Sequence, residues 1–332
     1  MQTHNLNGPY CKEMEYPSNG GEQSPLQMPS AAPSLTSLEP TPVISGSEES
    51  GLVRKEKSGK SVAWDFFMTP DNKDKKESGM EPVDLWVKAG SDGARLGGDP
   101  LCHQIFMILI EKSLHPESGL KFNVKTVNEA KPPPEFRQAG LRHAPALQHG
   151  EDFAYSHPDE IIEYIDRTFP LPSLKSDSAG AGDATANLFR AFAFFIKEVS
   201  TDPKALETEL TRLDHYLSEI DTKFLAADRL THIDCYILPK LHTIRIAAAA
   251  LKQYEIPTSL HNLWAYMKRG YETDAFRKSC PCDQEIILYW ADRPDTPNLS
   301  SQKRSQLYRQ KTTCTLTVPT GTENGAKENG EN

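Results

Sequence analysis

Pro82-Val-Asp-Leu-Trp-Val-Lys-Ala-Gly90 alternates Val83, Leu85 and Val87 with Asp84, Trp86 and Lys88, the period-two pattern of a β-strand. A loop rich in Gly and Asp follows, and then Asp99-Pro100, a helix cap with proline at the first helical position. From there Leu101, Ile105, Ile108 and Leu109 define one apolar face of a helix running to about Lys112, thickened by Phe106 and Met107. Phe122-Asn-Val-Lys-Thr-Val127 alternates again. Strand, helix and strand at this spacing form one βαβ unit with a right-handed crossover.

The pattern extends in both directions. Downstream, Lys131-Pro-Pro-Pro-Glu-Phe-Arg137 introduces a short helix. Arg142 to Gly150 and Glu151 to Ser156 read as a hairpin turning at His149-Gly150. A helix over 157–169 closes the unit, with Ser156 as its expected cap and acids in its first turn. This order is thioredoxin-like. A Pro-, Ser- and Gly-containing linker covers 171–183, and the rest of the folded chain, 184–292, reads as helical. Leu188, Phe192, Phe195 and Val199 form one stripe; Leu206, Leu210, Leu213, Leu217, Ile220 and Phe224 form a longer one. Thr231-His-Ile-Asp234 fits a capping box that opens a helix containing Pro239. Two shorter helices are expected near 260–270 and 283–290.

Composition sets the outer limits. The chain has 332 residues, 37% of them hydrophobic, with a formal net charge of −9 and a mean hydropathy of −0.56. The polar excess lies in residues 1–80 and 293–332, which are expected to be disordered because they cannot bury enough surface to fold alone. Net negative charge excludes a phosphate-neutralising nucleic-acid surface. Six cysteines, at irregular spacing, do not make a disulfide framework. The first residues lack a basic region followed by an apolar run, and no stretch reaches the ~18 apolar residues of a membrane helix. A reduced, soluble, intracellular protein is the expectation. No histidine spacing suits a metal, Cys280-Pro-Cys282 is too close for a zinc pair and reads as a turn with two incidental thiols, and no nucleotide-binding glycine pattern occurs.

Five stretches in order resemble the chloride intracellular channel (CLIC) family, itself similar to omega-class glutathione transferases. They are Asp99-Pro-Leu-Cys-His-Gln-Ile-Phe-Met107; Lys125-Thr-Val-Asn with Lys131-Pro-Pro-Pro-Glu-Phe-Arg; Phe224-Leu through Thr231-His-Ile-Asp-Cys235; Leu238-Pro-Lys-Leu-His-Thr-Ile-Arg245; and Ser279-Cys-Pro with Asp283. The Asp–x–x–Cys form of the helix start looks closest to the invertebrate members. The resemblance implies a thioredoxin-like α/β N-terminal domain over 81–170 and an all-α C-terminal domain over 184–292, a glutathione transferase-like pair flanked by disordered tails. It also implies membrane association, with chloride conducted or regulated, membrane lipids as partners, an oligomer in the membrane, and cytoskeletal or signalling proteins as further partners. The family's proposed membrane segment falls here at about 99–127. That segment carries Glu111, Lys112, Glu117, Lys121 and Lys125, each costing about 2.5–3.5 kcal/mol at a bilayer centre. Amphipathic association therefore suits it better than crossing as a lone helix.

Some members carry Cys-Pro-Phe-Ser at the helix start and are described as glutathione-dependent oxidoreductases. A helix N-terminus stabilises a thiolate there, but in this chain Asp99 holds the position and cannot form a mixed disulfide. Cys102 is the remaining candidate thiol: either a small buried residue or a slowly reactive thiol without a resolving partner. His103 points away from it as an adjacent helical position. By resemblance a glutathione-type pocket maps to Asp99, Leu101, Cys102, Ala144, Pro145 and Ser156. In it Ala144, before an expected cis-proline, offers its backbone, and Ser156 holds a carboxylate at a helix start. No cofactor is obligatory, and glutathione has room to bind without covalent capture. Three functions follow: a CLIC-type protein, a glutathione-dependent oxidoreductase using Cys102, and a scaffold without chemistry.

Overall fold

The computed structural model describes residues 81–319; the Ala63-Trp-Asp-Phe-Phe67 island and the rest of the N-terminal extension lie outside them. The first unit forms as its alternation requires: β1 is Val83–Lys88, α1 Pro100–Ser113 and β2 Phe122–Val127. β1 and β2 are parallel, with Val83 opposite Phe122 and Lys88 opposite Val127. α2 (Pro134–Gln138), β3 (Ala146–His149), β4 (Phe153–Tyr155) and α3 (Pro158–Thr168) complete it. The sheet order is β2-β1-β3-β4, with β3 antiparallel to both neighbours. Gly150 takes a φ of 63° at the hairpin, a conformation that glycine adopts without steric cost.

β1 is central, and this changes how its alternation reads. Trp86 was expected on the polar face, yet it is buried, edge-on to Phe136 of α2 at 5.2 Å and 5.0 Å from the Lys125 ammonium. Both faces of β1 are covered, as expected of a strand flanked by helices. α1 is likewise buried nearly all round, because β1 and α3 meet it on one side and two helices of the second domain on the other. Its one exposed apolar residue is Leu101, which the sequence placed on the core face.

The second domain comprises α4 (Ala179–Thr185), α5 (Leu188–Ile196), α6 (Lys204–Glu219), α7 (His232–Lys252), α8 (His261–Glu272), α9 (Asp274–Ser279), α10 (Asp283–Ala291) and α11 (Ser301–Arg309). α4 begins inside the expected linker. Val199 falls off its stripe and is exposed, because α5 ends at Ile196 and Glu198 turns the chain with a φ of 59°.

The chain stays structured beyond residue 292, where a disordered tail was expected. After α11, residues 310–319 dock as a strap. The Thr315 N–H and hydroxyl donate to the Asp283 carboxylate at 3.1 and 2.6 Å, and the Asp283 N–H donates to the Thr313 carbonyl at 2.8 Å. Arg245 donates to the carbonyls of Thr315 and Thr317, and Leu316 and Val318 pack against the core. Side-chain anchors supply what the segment's composition lacks.

α7 runs through this domain and contains Pro239. Its capping box forms as expected. The buried Asp234 carboxylate accepts from the Thr231 N–H and hydroxyl (2.9 and 2.6 Å), the Leu225 N–H (3.0 Å) and the Tyr266 hydroxyl (2.9 Å). Burial pushes its carboxyl above the usual range despite these donors. Asp234→Ala leaves several buried donors unmatched, each costing about 1–3 kcal/mol. A loss of stability of about 3 kcal/mol or more is expected in urea unfolding, and a loss under about 1 kcal/mol would contradict the arrangement.

Two neutral histidines lie in the same core. His103 of α1 packs on Phe276 of α9 at 4.8 Å, and His242 of α7 bonds the Tyr271 hydroxyl at 3.0 Å. Burial pushes the His103 imidazolium down to about 3, and burial with nearby His103 and Arg245 pushes His242 well below its usual value. Both folded-state pKa values lie below the unfolded value near 6.5, so the unfolded chain binds more protons as pH drops. Stability is therefore held above pH 6.5 and falls below it, with the His103 contribution running down to about pH 3. Each histidine adds up to about 1.4 kcal/mol per pH unit. Asp234, with its raised pKa, opposes this in part. Urea midpoints measured from pH 7.5 to 4 should fall, and His103→Gln should flatten the slope; an unchanged slope would show that His103 takes up its proton alike in the folded and unfolded chain.

Candidate functional site

The site expected at the start of α1 exists as geometry, but its chemistry differs from that of a thiol centre. Asp99 caps the helix with extended backbone, its Oδ1 accepting the Leu101 N–H at 2.9 Å. Its other oxygen pairs with Lys88 Nζ at 2.7 Å, although Asp99 is only 3% exposed. Lys88 is the last residue of β1. Burial alone would lower its pKa; the Asp99 carboxylate outweighs this and holds the ammonium above its ordinary range.

Glu129, just past β2, completes the group. Its Oε1 lies 4.0 Å from Lys88 Nζ and accepts the Ala144 N–H at 2.8 Å. The Ala144–Pro145 peptide is cis, as the sequence suggested, and both residues are buried. The N–H that a bound glutathione backbone would use is thus already satisfied by the protein's own carboxylate. Lys88 and Glu129 were missed in the sequence. Both sit at or just beyond the C-terminal ends of parallel strands, where α/β sheets present their ligand-binding groups, and that placement was available as a signal.

Cys102 is fully buried, and the Lys88 N–H donates to its sulfur at 3.4 Å. Burial, then the Asp99 charge, push its thiol well above the usual value, against a weaker pull from Lys88. A protonated, enclosed thiol is a poor nucleophile. His103 turns away toward Phe276, as expected.

Two of the proposed pocket residues differ from expectation: Leu101 meets the group through its N–H on Asp99 and not through its side chain, and Ser156 does not cap its helix. Leu101 is exposed on the surface. Ser156 was expected to cap α3, but the cap is His157, which makes no side-chain bond there. Pro158 occupies the first helical position, which shifts the helix start one residue beyond Ser156. Thr231 and Asp234 are structural, as expected.

The second domain closes the helix start from outside. The buried Glu285 of α10 accepts from the Ser91 N–H and hydroxyl at 2.7 and 2.8 Å. A Cβ on Gly98 would meet the Glu285 carbonyl and Ile286 Cα at 2.5 Å, so only glycine admits α10 at this distance. Tyr289 of the same helix lies with its ring 5.8 Å from Lys88 Nζ; burial, then Asp99, push its hydroxyl far up.

A four-stranded thioredoxin-like sheet with a cis-proline just before β3, joined to a helical second domain, defines a glutathione transferase-like fold. Residues 81–170 match the family model described as the CLIC-like N-terminal domain. The chain is 43% identical over 242 residues to the chloride intracellular channel exl-1 of Caenorhabditis elegans, covering 72% of this chain and 100% of that protein. The crystal structure of the CLIC homologue EXC-4 from C. elegans matches with a TM-score of 0.63 and 29% identity, over 72% of this chain and 94% of that one. A dehydroascorbate reductase from Chlamydomonas reinhardtii shares the fold, at a TM-score of 0.55 and 23% identity, over 63% of this chain and 97% of that one. The chain belongs to the chloride intracellular channel family. No helix among the described residues is long and apolar enough to cross a membrane.

The closed group makes a two-part prediction. Asp99→Cys alone places a thiol at the helix start but leaves Glu129 on the Ala144 N–H. Asp99→Cys with Glu129→Ala frees that donor as well. After incubation with oxidised glutathione, mass spectrometry should show a faster and fuller adduct at residue 99 in the double variant than in the single one. Equal rates would show that Glu129 does not guard the site.

Proposed function

We propose that this protein works as a chloride intracellular channel-type protein, associating reversibly with membranes and conducting or regulating chloride there, without thiol chemistry at its helix start. The observation that carries this reading is the 43% identity to a chloride intracellular channel over that protein's whole length. The helix start agrees with it, since Asp99 stands where a reactive thiol would be and Cys102 is enclosed. The oxidoreductase reading has no accessible thiol at this site to support it. Glutathione enters this proposal only as a non-covalent ligand that displaces Glu129 from Ala144.

Membrane lipids and chloride are the expected partners, with an oligomer in the membrane form. With no described helix able to cross as it stands, a conducting form requires α1 to leave its place between the sheet and α7 and α9. The test is chloride efflux from liposomes containing anionic lipid, with purified full-length protein, from pH 7.5 to 5. Efflux that rises with protein concentration and with vesicle-bound protein supports the reading. A flat trace across pH, with protein demonstrably on the vesicles, overturns conduction and leaves a regulatory role to be measured against a separate chloride pathway.

A further inference from the structure

The strap brings together two cysteines that are far apart in sequence. Cys280 ends α9 in the turn Ser279-Cys-Pro-Cys-Asp283, and Cys314 lies on the strap. Both residues flanking Cys314 are tied to Asp283. Besides the bonds from Thr315, the Thr313 hydroxyl donates to the Asp283 carboxylate at 3.2 Å, and the Asp283 N–H donates to the Thr313 carbonyl. Gln284 adds a second clamp, accepting the Thr313 N–H at 3.1 Å and donating to the Lys311 carbonyl at 2.9 Å. The position of Cys314 is therefore set from both sides against the turn that carries Cys280.

The two thiols face each other unequally. The Cys280 sulfhydryl lies 3.4 Å from the Pro281 carbonyl and within hydrogen-bonding reach of Cys314. Cys314 is exposed, and the hydrogen bond from Cys280 holds its thiol below the usual value, against a smaller opposing effect of burial. Cys280 is pushed well up, by burial first and then by Cys314. Every other cysteine among the described residues is a worse nucleophile: Cys102 and Cys235 are buried and raised, and Cys282 is raised by burial. An accessible thiol of lowered pKa beside a second thiol is the arrangement that lets one cysteine react and the other resolve.

We propose that Cys280 and Cys314 form an oxidisable pair whose disulfide fastens the C-terminal strap to the turn between α9 and α10. The oxidant class is a hydroperoxide. The Cys314 thiolate attacks one peroxide oxygen, the O–O bond breaks, Cys314 becomes a sulfenic acid and the leaving oxygen departs as water (or the corresponding alcohol) after protonation. The Cys280 sulfur then attacks the Cys314 sulfur, the S–O bond breaks, a second water leaves with the Cys280 proton and the S–S bond forms. Two electrons pass from the sulfurs to the peroxide. A small-molecule dithiol reverses the step by thiol–disulfide exchange. The bond closes a loop containing α10 and α11, so it locks Leu316 and Val318 onto the core and Arg245 under the strap. This inference is independent of chloride conduction.

The test treats full-length protein with a modest excess of hydrogen peroxide, followed by intact-mass and non-reducing tryptic mass spectrometry. The expected result is loss of the mass of two hydrogens, a cross-linked peptide pair containing Cys280 and Cys314, and slower trypsin cleavage after Lys311 that dithiothreitol restores. Cys282→Ser should leave the cross-link intact. Cys280→Ser should abolish it and leave Cys314 as a sulfenic acid that dimedone traps. Circular dichroism checks the fold of each variant, and Cys314→Ser, at an exposed position, serves if Cys280→Ser does not fold. A cross-link that survives in Cys280→Ser, one to Cys11 in place of Cys280, or no cross-link in folded wild-type protein overturns the proposal.

Discussion

A fully buried ammonium joins the two halves of this molecule. Lys112, in the last turn of α1, has no exposed surface, yet each of its three protons has an acceptor: the Asp166 carboxylate of α3 at 2.9 Å, the Phe169 carbonyl at 2.9 Å and the Pro172 carbonyl at 3.1 Å. Asp166 is shared with His232, the first residue of α7, at 2.8 Å. Burial alone would raise the Asp166 carboxyl; His232 and then Lys112 outweigh this and hold it below its usual range. One charge cluster thus ties the first helix, the third helix, the linker and the axial helix of the second domain. A buried ammonium is costly unless it is paired and hydrogen-bonded, so the linker path past Phe169 and Pro172 is set by where Lys112 needs oxygens.

The other end of α1 is fixed by the opposite charge. Asp99 caps the N-terminus and pairs with Lys88, while Lys112 sits near the C-terminus, so both charges complement the helix dipole. Between them the helix is apolar on nearly every side. A cysteine in place of Asp99 would keep the fold's outline but would remove the ion pair that holds β1 to the helix start. In this chain the position has become a joint between strand and helix. The neighbouring Gly98 and Glu285 show the same use of the region, with α10 pressed against a loop that in a working thiol site would stay open to substrate.

Most of the architecture was legible because it rests on periodicity. Val83, Leu85 and Val87 gave β1, the proline run at 132–134 located α2, Ala144-Pro145 ahead of a strand in a thioredoxin-like order marked the cis bond, and Thr231 with Asp234 marked the start of α7. The misses share a cause: partners distant in sequence. Trp86 reads as polar-face until Phe136 covers it, and Leu101 reads as core until α1 is placed. Lys88 and Glu129 are ordinary charged residues until the sheet brings their strand ends together. Ser156 was displaced from its capping role by a neighbour, since Pro158 fits the first helical position and makes His157 the cap. The strap was hidden by averaging. Thr313, Thr315 and Thr317 alternate with Cys314, Leu316 and Val318, a strand-like pattern inside a polar tail, and composition over the whole tail obscured it.

The buried face of α1 also bounds what a membrane form can be. Pro100 to Ile110 carries no Asp, Glu, Lys or Arg, and as a helix that length spans about 16 Å, roughly half the hydrocarbon thickness of a bilayer. Glu111 and Lys112 follow at once. A released α1 therefore suits the interface, where its C-terminal charges reach water, better than a crossing. To cross, it must recruit β2, whose Lys125 is paired with Asp84 at 2.7 Å on β1. That pair, with Asp99–Lys88 at one end of α1 and Lys112–Asp166 at the other, must open before the segment can leave the sheet. Acid neutralises carboxylates and not ammonium groups, so opening these pairs at low pH leaves Lys112 and Lys125 charged on the moving segment, which again favours the interface over a crossing.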